Sequence, residues 1–74
     1  SMLRKGIDLD VDSEVIAFIS KEGYDESFGA RPLRRAIEKF LEEPLSEKII
    51  SGEIKEGDNI VIEMSGGEII VIRK

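Results

Sequence analysis

Leu33, Ala36, Ile37, Phe40, Leu41, Leu45 and Ile49 recur at the 3.6-residue spacing of one helix face. Arg34, Arg35, Glu38, Lys39, Glu42 and Glu43 fill the other face. Pro44 lies inside this pattern. A proline there cannot donate to the carbonyl of Phe40, and its ring crowds that group. Yet the apolar period continues past it. The pattern predicts a kinked helix, or two helices in tandem, from Pro32 to Ile50, ended by Ser51-Gly52. A chain of 74 residues has room for one such element and a few shorter ones packed on it.

The flanking segments supply those partners. Ile7, Leu9 and Val11 alternate with Asp8, Asp10 and Asp12, which predicts a short strand with its apolar face inward. The Asp-x-Asp-x-Asp run also opens calcium loops. Such a loop needs glycine at its sixth position and glutamate at its twelfth, where this chain has Ser13 and Ile19. A solvated strand face is the better reading.

Asp12 is placed to cap a helix over about residues 13–22. Val15, Ile16 and Ile19 form its inner stripe, with Phe18 at the edge and a Val11–Ile16 staple at its start. Gly23 is expected to end it in the left-handed conformation, with Tyr24 packing back on Ile19. Tyr24 and Phe28 are expected to anchor the connection that follows.

Downstream, Glu56-Gly57-Asp58 reads as a turn and Ile60-Val61-Ile62 with Met64 as a strand. Gly66-Gly67 is a two-residue hairpin signal, and Ile69 to Ile72 make the return strand. The expected fold is α+β: strand, helix, long kinked helix and β-hairpin, with the helices on one face of a three-stranded sheet. Ser1-Met2 reads as an expression scar, leaving 3–74 as the domain.

Composition excludes several chemistries. The chain has no cysteine and no histidine, so it offers no disulfide, thiolate, imidazole base or zinc site with nitrogen and sulfur ligands. No nucleophile–base pair and no Gly-x-x-x-x-Gly-Lys-Ser/Thr loop can be assembled. By itself the chain is expected not to be an enzyme. Sixteen acids against eleven bases give a net charge of −5, which argues against a nucleic-acid partner. No apolar run approaches the ~20 residues that span a bilayer, and no signal-peptide pattern is present. The expectation is a soluble, cytoplasmic domain without a membrane partner.

Charge is nevertheless uneven. Residues 31–39 carry Arg31, Arg34, Arg35 and Lys39 against Glu38, a net +3. Residues 42–58 hold six acids against Lys48 and Lys55, a net −4. A dipolar module of this kind suits head-to-tail contact, and an ordinary solvated helix face gives the same pattern. The helix start is the most specific feature. Pro32 suits the first helical position, which places Arg31 at the cap behind Gly29-Ala30. A guanidinium there can address a phosphate or carboxylate with planar donors, or serve only as a solvated cap.

The run from Tyr24 through Gly29-Ala30-Arg31-Pro32-Leu33-Arg34-Arg35 to Glu38 resembles the sensor-2 region of Clp-type AAA+ unfoldases. Glu43-Pro44-Leu45 and the stretch to Glu56-Gly57-Asp58 are similar to the same family's C-terminal region. Pro32, the Glu-Pro-Leu break and the Glu-Gly-Asp lead resemble the members with two ATPase modules, the disaggregases and the larger protease regulatory subunits.

The resemblance implies the small C-terminal lid subdomain of a second ATPase module. It implies that Arg31 reaches the phosphates of bound ATP, with Gly29 and Ala30 letting the backbone pass close to the nucleotide. It implies that a large subdomain outside these residues carries the Walker motifs and the magnesium. The partners it implies are that large subdomain and the one of the adjacent subunit in a homohexameric ring. Unfolded or aggregated proteins are its indirect substrates, and a protease is a further partner in some members. The family's lid begins with a helix before the first strand, of which only Leu3-Arg4-Lys5 could be present here. The alternatives are a stand-alone interaction module using the basic helix start, and the lid of another AAA+ class.

Overall fold

The computed structural model describes residues 6–24 and 31–74, with the side chain of Arg31 outside that description. The elements follow the order β1 (Asp8–Val11), α1 (Ser13–Gly23), α2 (Arg31–Ile37), a π-helical turn (Glu38–Glu42), α3 (Glu43–Ile50), β2 (Asn59–Ser65) and β3 (Glu68–Arg73). The three strands form one sheet in the order β1-β2-β3. β1 runs parallel to β2, pairing Leu9 with Ile60 and Val11 with Ile62. β3 runs antiparallel to β2, pairing Ile62 with Val71 and Met64 with Ile69. This is the expected α+β plan.

The core lies where the helices meet one face of β2. Ile60, Ile62 and Val15 are fully buried, joined by Ile19, Ala36 and Ile54. Ile7, Val11, Phe18, Phe40, Leu41, Leu45, Met64, Ile69 and Val71 pack around them. Alternation puts Val61 on the opposite face of the sheet. There Val61 is buried beside Ile72 in the register, with Ile70 next along β3.

Local signals explain the ends of elements. Asp12 holds the cap position with extended backbone, and its carbonyl accepts from the N–H groups of Val15 and Ile16. Its carboxylate makes no capping bond. Gly66 and Gly67 both have positive φ, 58° and 81°. Two such residues in succession give the turn whose twist matches a hairpin. At the end of α3, Gly52 has φ 83°, the left-handed terminator that glycine supplies at low cost.

Several expectations are corrected. Gly23 is not a left-handed terminator: it is the last residue of α1, and positive φ occurs elsewhere among the described residues. Tyr24 follows in extended conformation and is 72% exposed, so it is not buried back against Ile19; the connection it was expected to anchor lies outside the described residues. Phe28 lies outside the described residues. Ile16 is 55% exposed, so the staple with Val11 does not form; Val15, Phe18 and Ile19 make the inner stripe instead. Leu9 shares the core face of β1 by register yet is about half exposed, because β1 is an edge strand.

Pro44 is accommodated without ending the helical path. Ile37, Glu42 and Glu43 all keep right-handed helical dihedrals. The turn before the proline is widened: the N–H of Glu43 donates to the carbonyl of Glu38, five residues back. Pro44 then falls in the first turn of α3, a position that tolerates it. The widened turn also shifts the helix phase. Ala36, Phe40, Leu41 and Leu45 face the core, whereas Leu33 and Ile37 are partly exposed and Ile49 is about half exposed.

Candidate functional site

The expected site is the start of α2. Arg31 is the first helical residue and Pro32 the second, one position away from the expected cap and first turn. Gly29 and Ala30 lie outside the described residues. What can be built from described atoms is the seat on which this helix start rests.

That seat is the crossing of α1 and α2. A Cβ added to Gly23 would lie 2.7 Å from the Cα of Leu33 and 3.2 Å from its backbone nitrogen. Only a residue without a side chain lets the two backbones meet so closely. Leu33 is two residues after Arg31, so the contact falls in the first turn of α2. Gly23 therefore fixes where the helix start sits relative to α1, β2 and the core. A glycine at the end of a helix suggests a terminator, and that more common role hid this one from sequence reading.

Charge along α2 is one-signed. The first turn of α2 has no acidic residue, and Arg34 and Arg35, in the last turn of this short helix, are exposed. Among the described residues, neither has an acidic partner within ion-pair distance. An open groove beside them is lined by Leu33, Arg34, Ile37, Glu38 and Glu42. Its apolar members face solvent in this domain and carry no chemistry by themselves. Arg34 thus brings positive charge to a groove whose lining also carries Glu38 and Glu42.

The acidic half is ordered differently. Ser51 Oγ donates to Glu53 Oε2 at 3.0 Å, and Lys48 Nζ lies 3.6 Å from Glu53 Oε1. Arg73 Nη1 donates to the carbonyl of Glu53 at 3.3 Å and stands 3.9 Å from Asp58 Oδ2. Asp58 in turn accepts from the N–H of Lys55 at 2.9 Å. These contacts tie the connection after α3 to the end of β3, a structural role that charge patterning alone did not reveal. No group of acids that could hold a metal ion occurs among the described residues. No helix among them is long and apolar enough to cross a membrane.

Comparison with known proteins gives the family. Residues 1–62 match the family model described as the C-terminal, D2-small domain of ClpB protein. The chain is 41% identical over 70 residues to the chaperone protein ClpC4, chloroplastic, of Oryza sativa subsp. japonica, covering 95% of this chain and 8% of that protein. It is 41% identical over 73 residues to the chaperone protein ClpB of Aquifex aeolicus, covering 99% of this chain and 7% of that protein. It is 48% identical over 69 residues to the chaperone protein ClpC1, chloroplastic, of Oryza sativa subsp. japonica, covering 92% of this chain and 8% of that protein. The chain thus spans less than a tenth of the length of these relatives. With residues 1–62 matched by that model and these relatives 41–48% identical over more than nine-tenths of the chain, this chain belongs to the family of C-terminal D2-small domains of the Clp chaperone ATPases.

Proposed function

We propose that this domain is the lid over the second nucleotide site of a Clp-type protein-unfolding ATPase. In this reading Arg31 acts as the sensor-2 residue, directed at the phosphates of ATP, with Gly29 and Ala30 passing close to the nucleotide. The observation that carries the proposal is the seating of α2: its first turn is held against α1 by the Gly23–Leu33 contact. That turn is free of acids, and Arg34 and Arg35 add positive potential without acidic partners among the described residues. Positioned positive charge is what phosphoryl transfer draws from a protein.

ATP supplies the transferable phosphoryl group, and the magnesium and Walker residues belong to a large subdomain outside these residues. This chain contributes orientation and charge. Its rigid core lets the lid move as one body, so a change felt at Arg31 is passed to the large subdomain of the adjacent subunit in a hexameric ring. The work of that ring is the unfolding or disaggregation of proteins, with a protease as a further partner in some members. Its compartment is the cytoplasm or its plastid equivalent, in keeping with the chloroplastic names among the relatives.

The test is ATP turnover by the full-length protein with its first module silenced. Arg31→Ala lowers turnover at the second site by roughly 10- to 1000-fold. Unaltered turnover rejects the sensor assignment.

A further inference from the structure

The two edges of the sheet are built differently. β1 carries Asp8 and Asp10 in alternation, and charged residues of one sign guard an edge against pairing with a copy of itself. β3 reads Glu68-Ile69-Ile70-Val71-Ile72-Arg73, four aliphatic residues in succession with a charge at each end. Among the described residues its partner is β2 alone.

The hydrogen-bond phase of β3 follows from the hairpin. Ser65 and Glu68 close a two-residue turn, and the closing residues of such a turn are a hydrogen-bonded pair. The main-chain groups of Glu68, Ile70 and Ile72 therefore point toward β2. The bond from the N–H of Lys74 to the carbonyl of Asn59, 2.8 Å, continues the same phase. The N–H and C=O groups of Ile69, Val71 and Arg73 point away from the sheet. Among the described residues they have no main-chain partner.

We propose that β3 is a self-pairing edge. Two copies of this chain join β3 strands antiparallel about a two-fold axis centred on Val71, so that one sheet runs through both. A two-fold axis normal to the sheet must pass beside one residue of each strand, and the registers of greatest overlap centre on Ile70 or Val71. Centring on Ile70 sets Glu68 opposite Ile72 of the second copy. Centring on Val71 sets Glu68 opposite Lys74, Ile70 opposite Ile72, and the reciprocal pairs likewise.

The second register places two opposite-charge pairs at the ends of the interface and two aliphatic pairs between them. All lie on the face that carries Val61. It sets Ile70 and Ile72 of the two copies side by side, flanked on each β2 by Val61 and Glu63, and covers Ile72, which is 37% exposed. Charge complementarity thus selects both the occupant and the register. The contact is isologous and closes at two copies, unlike the head-to-tail contact of a ring. It rests on the sheet and is independent of the role proposed for Arg31.

The test uses this 74-residue chain. Sedimentation equilibrium is measured from about 10 µM to about 1 mM, and amide hydrogen exchange is followed over the same range. The expected result is a monomer–dimer equilibrium in which the amides of Ile69, Val71 and Arg73 gain protection as concentration rises. Glu68→Lys and Lys74→Glu each place like charges opposite one another, and each weakens the dimer about three- to tenfold. The double variant restores complementary pairs and recovers the original affinity within about twofold. A monomer across the whole range overturns the proposal. So does a dimer whose Ile69, Val71 and Arg73 amides stay unprotected, or one whose affinity the single charge changes leave unaltered.

Discussion

The backbones of Gly23 and Leu33 meet so closely that a Cβ on Gly23 would stand 2.7 Å from the Leu33 Cα. Because the atom in the way is backbone, no side-chain rotation relieves the overlap. Two effects then compete in Gly23→Ala. Helix propensity favours alanine by about 1 kcal/mol. Displacing the packed α2 costs about 1–3 kcal/mol, and with the clash at a Cα the upper part of that range applies. The net expectation is a loss of about 1–2 kcal/mol, read from chemical denaturation. Ser20→Ala, at an exposed position of the same helix, changes stability by less than about 0.5 kcal/mol. If Gly23→Ala is as stable as the parent chain, the crossing is looser than described.

The rings of Phe18 and Phe40 meet edge to face, with centroids 5.1 Å apart and planes at 80°. This pair pins the π-helical turn to α1. Phe40 is half-buried, so Phe40→Ala is expected to cost about 2–3 kcal/mol, below the ~3–5 kcal/mol range of a fully buried phenylalanine. A double-mutant cycle with Phe18→Ala should return a coupling of about 0.5–1.5 kcal/mol. Arg35→Ala, on the exposed face, should stay within about 0.5 kcal/mol. Equal losses for Phe40 and Arg35 would show that the helix phase is wrong.

Pro44 gives a sharper test of the π-helical turn. In a plain α-helix interior, replacing proline by alanine recovers about 3 kcal/mol. Here the bond from Glu43 to Glu38 widens the turn and leaves Pro44 in the first turn of α3. Pro44→Ala is therefore expected to change stability by less than about 1 kcal/mol. A gain of the full interior value would mean that Pro44 strains the helix.

These elements show what the sequence made legible. The hairpin was readable because Gly66-Gly67 leaves few alternatives to a turn with two positive φ values. Asp12 marked the start of α1, although its backbone and not its carboxylate does the capping. Gly23 was misread because a glycine at a helix end has two physical uses, and only the position of Leu33 tells them apart. The periodic stripe could not reveal the π-helical turn, since one widened turn shifts phase without breaking the apolar spacing. Leu9, Ile16 and Ile37 fit their periods and are still exposed, because a small sheet and short helices leave too little partner surface to cover them. Gly29-Ala30-Arg31 carried the expectation of a site, whereas the Gly23–Leu33 crossing beneath the start of α2 was not legible in the sequence.

The central claim is that Arg31 acts on nucleotide and not on the fold. The direct measurement pairs two readouts on the same substitution. One is ATP turnover by the full-length protein with its first module silenced, and the other is melting of this isolated chain. The account predicts that Arg31→Ala lowers turnover by roughly 10- to 1000-fold while the isolated chain loses less than about 0.5 kcal/mol. Arg31→Lys should rescue turnover poorly, because an ammonium lacks the planar fork of donors. Unaltered turnover together with a loss of several kcal/mol in the isolated chain would contradict the account and make Arg31 a structural residue.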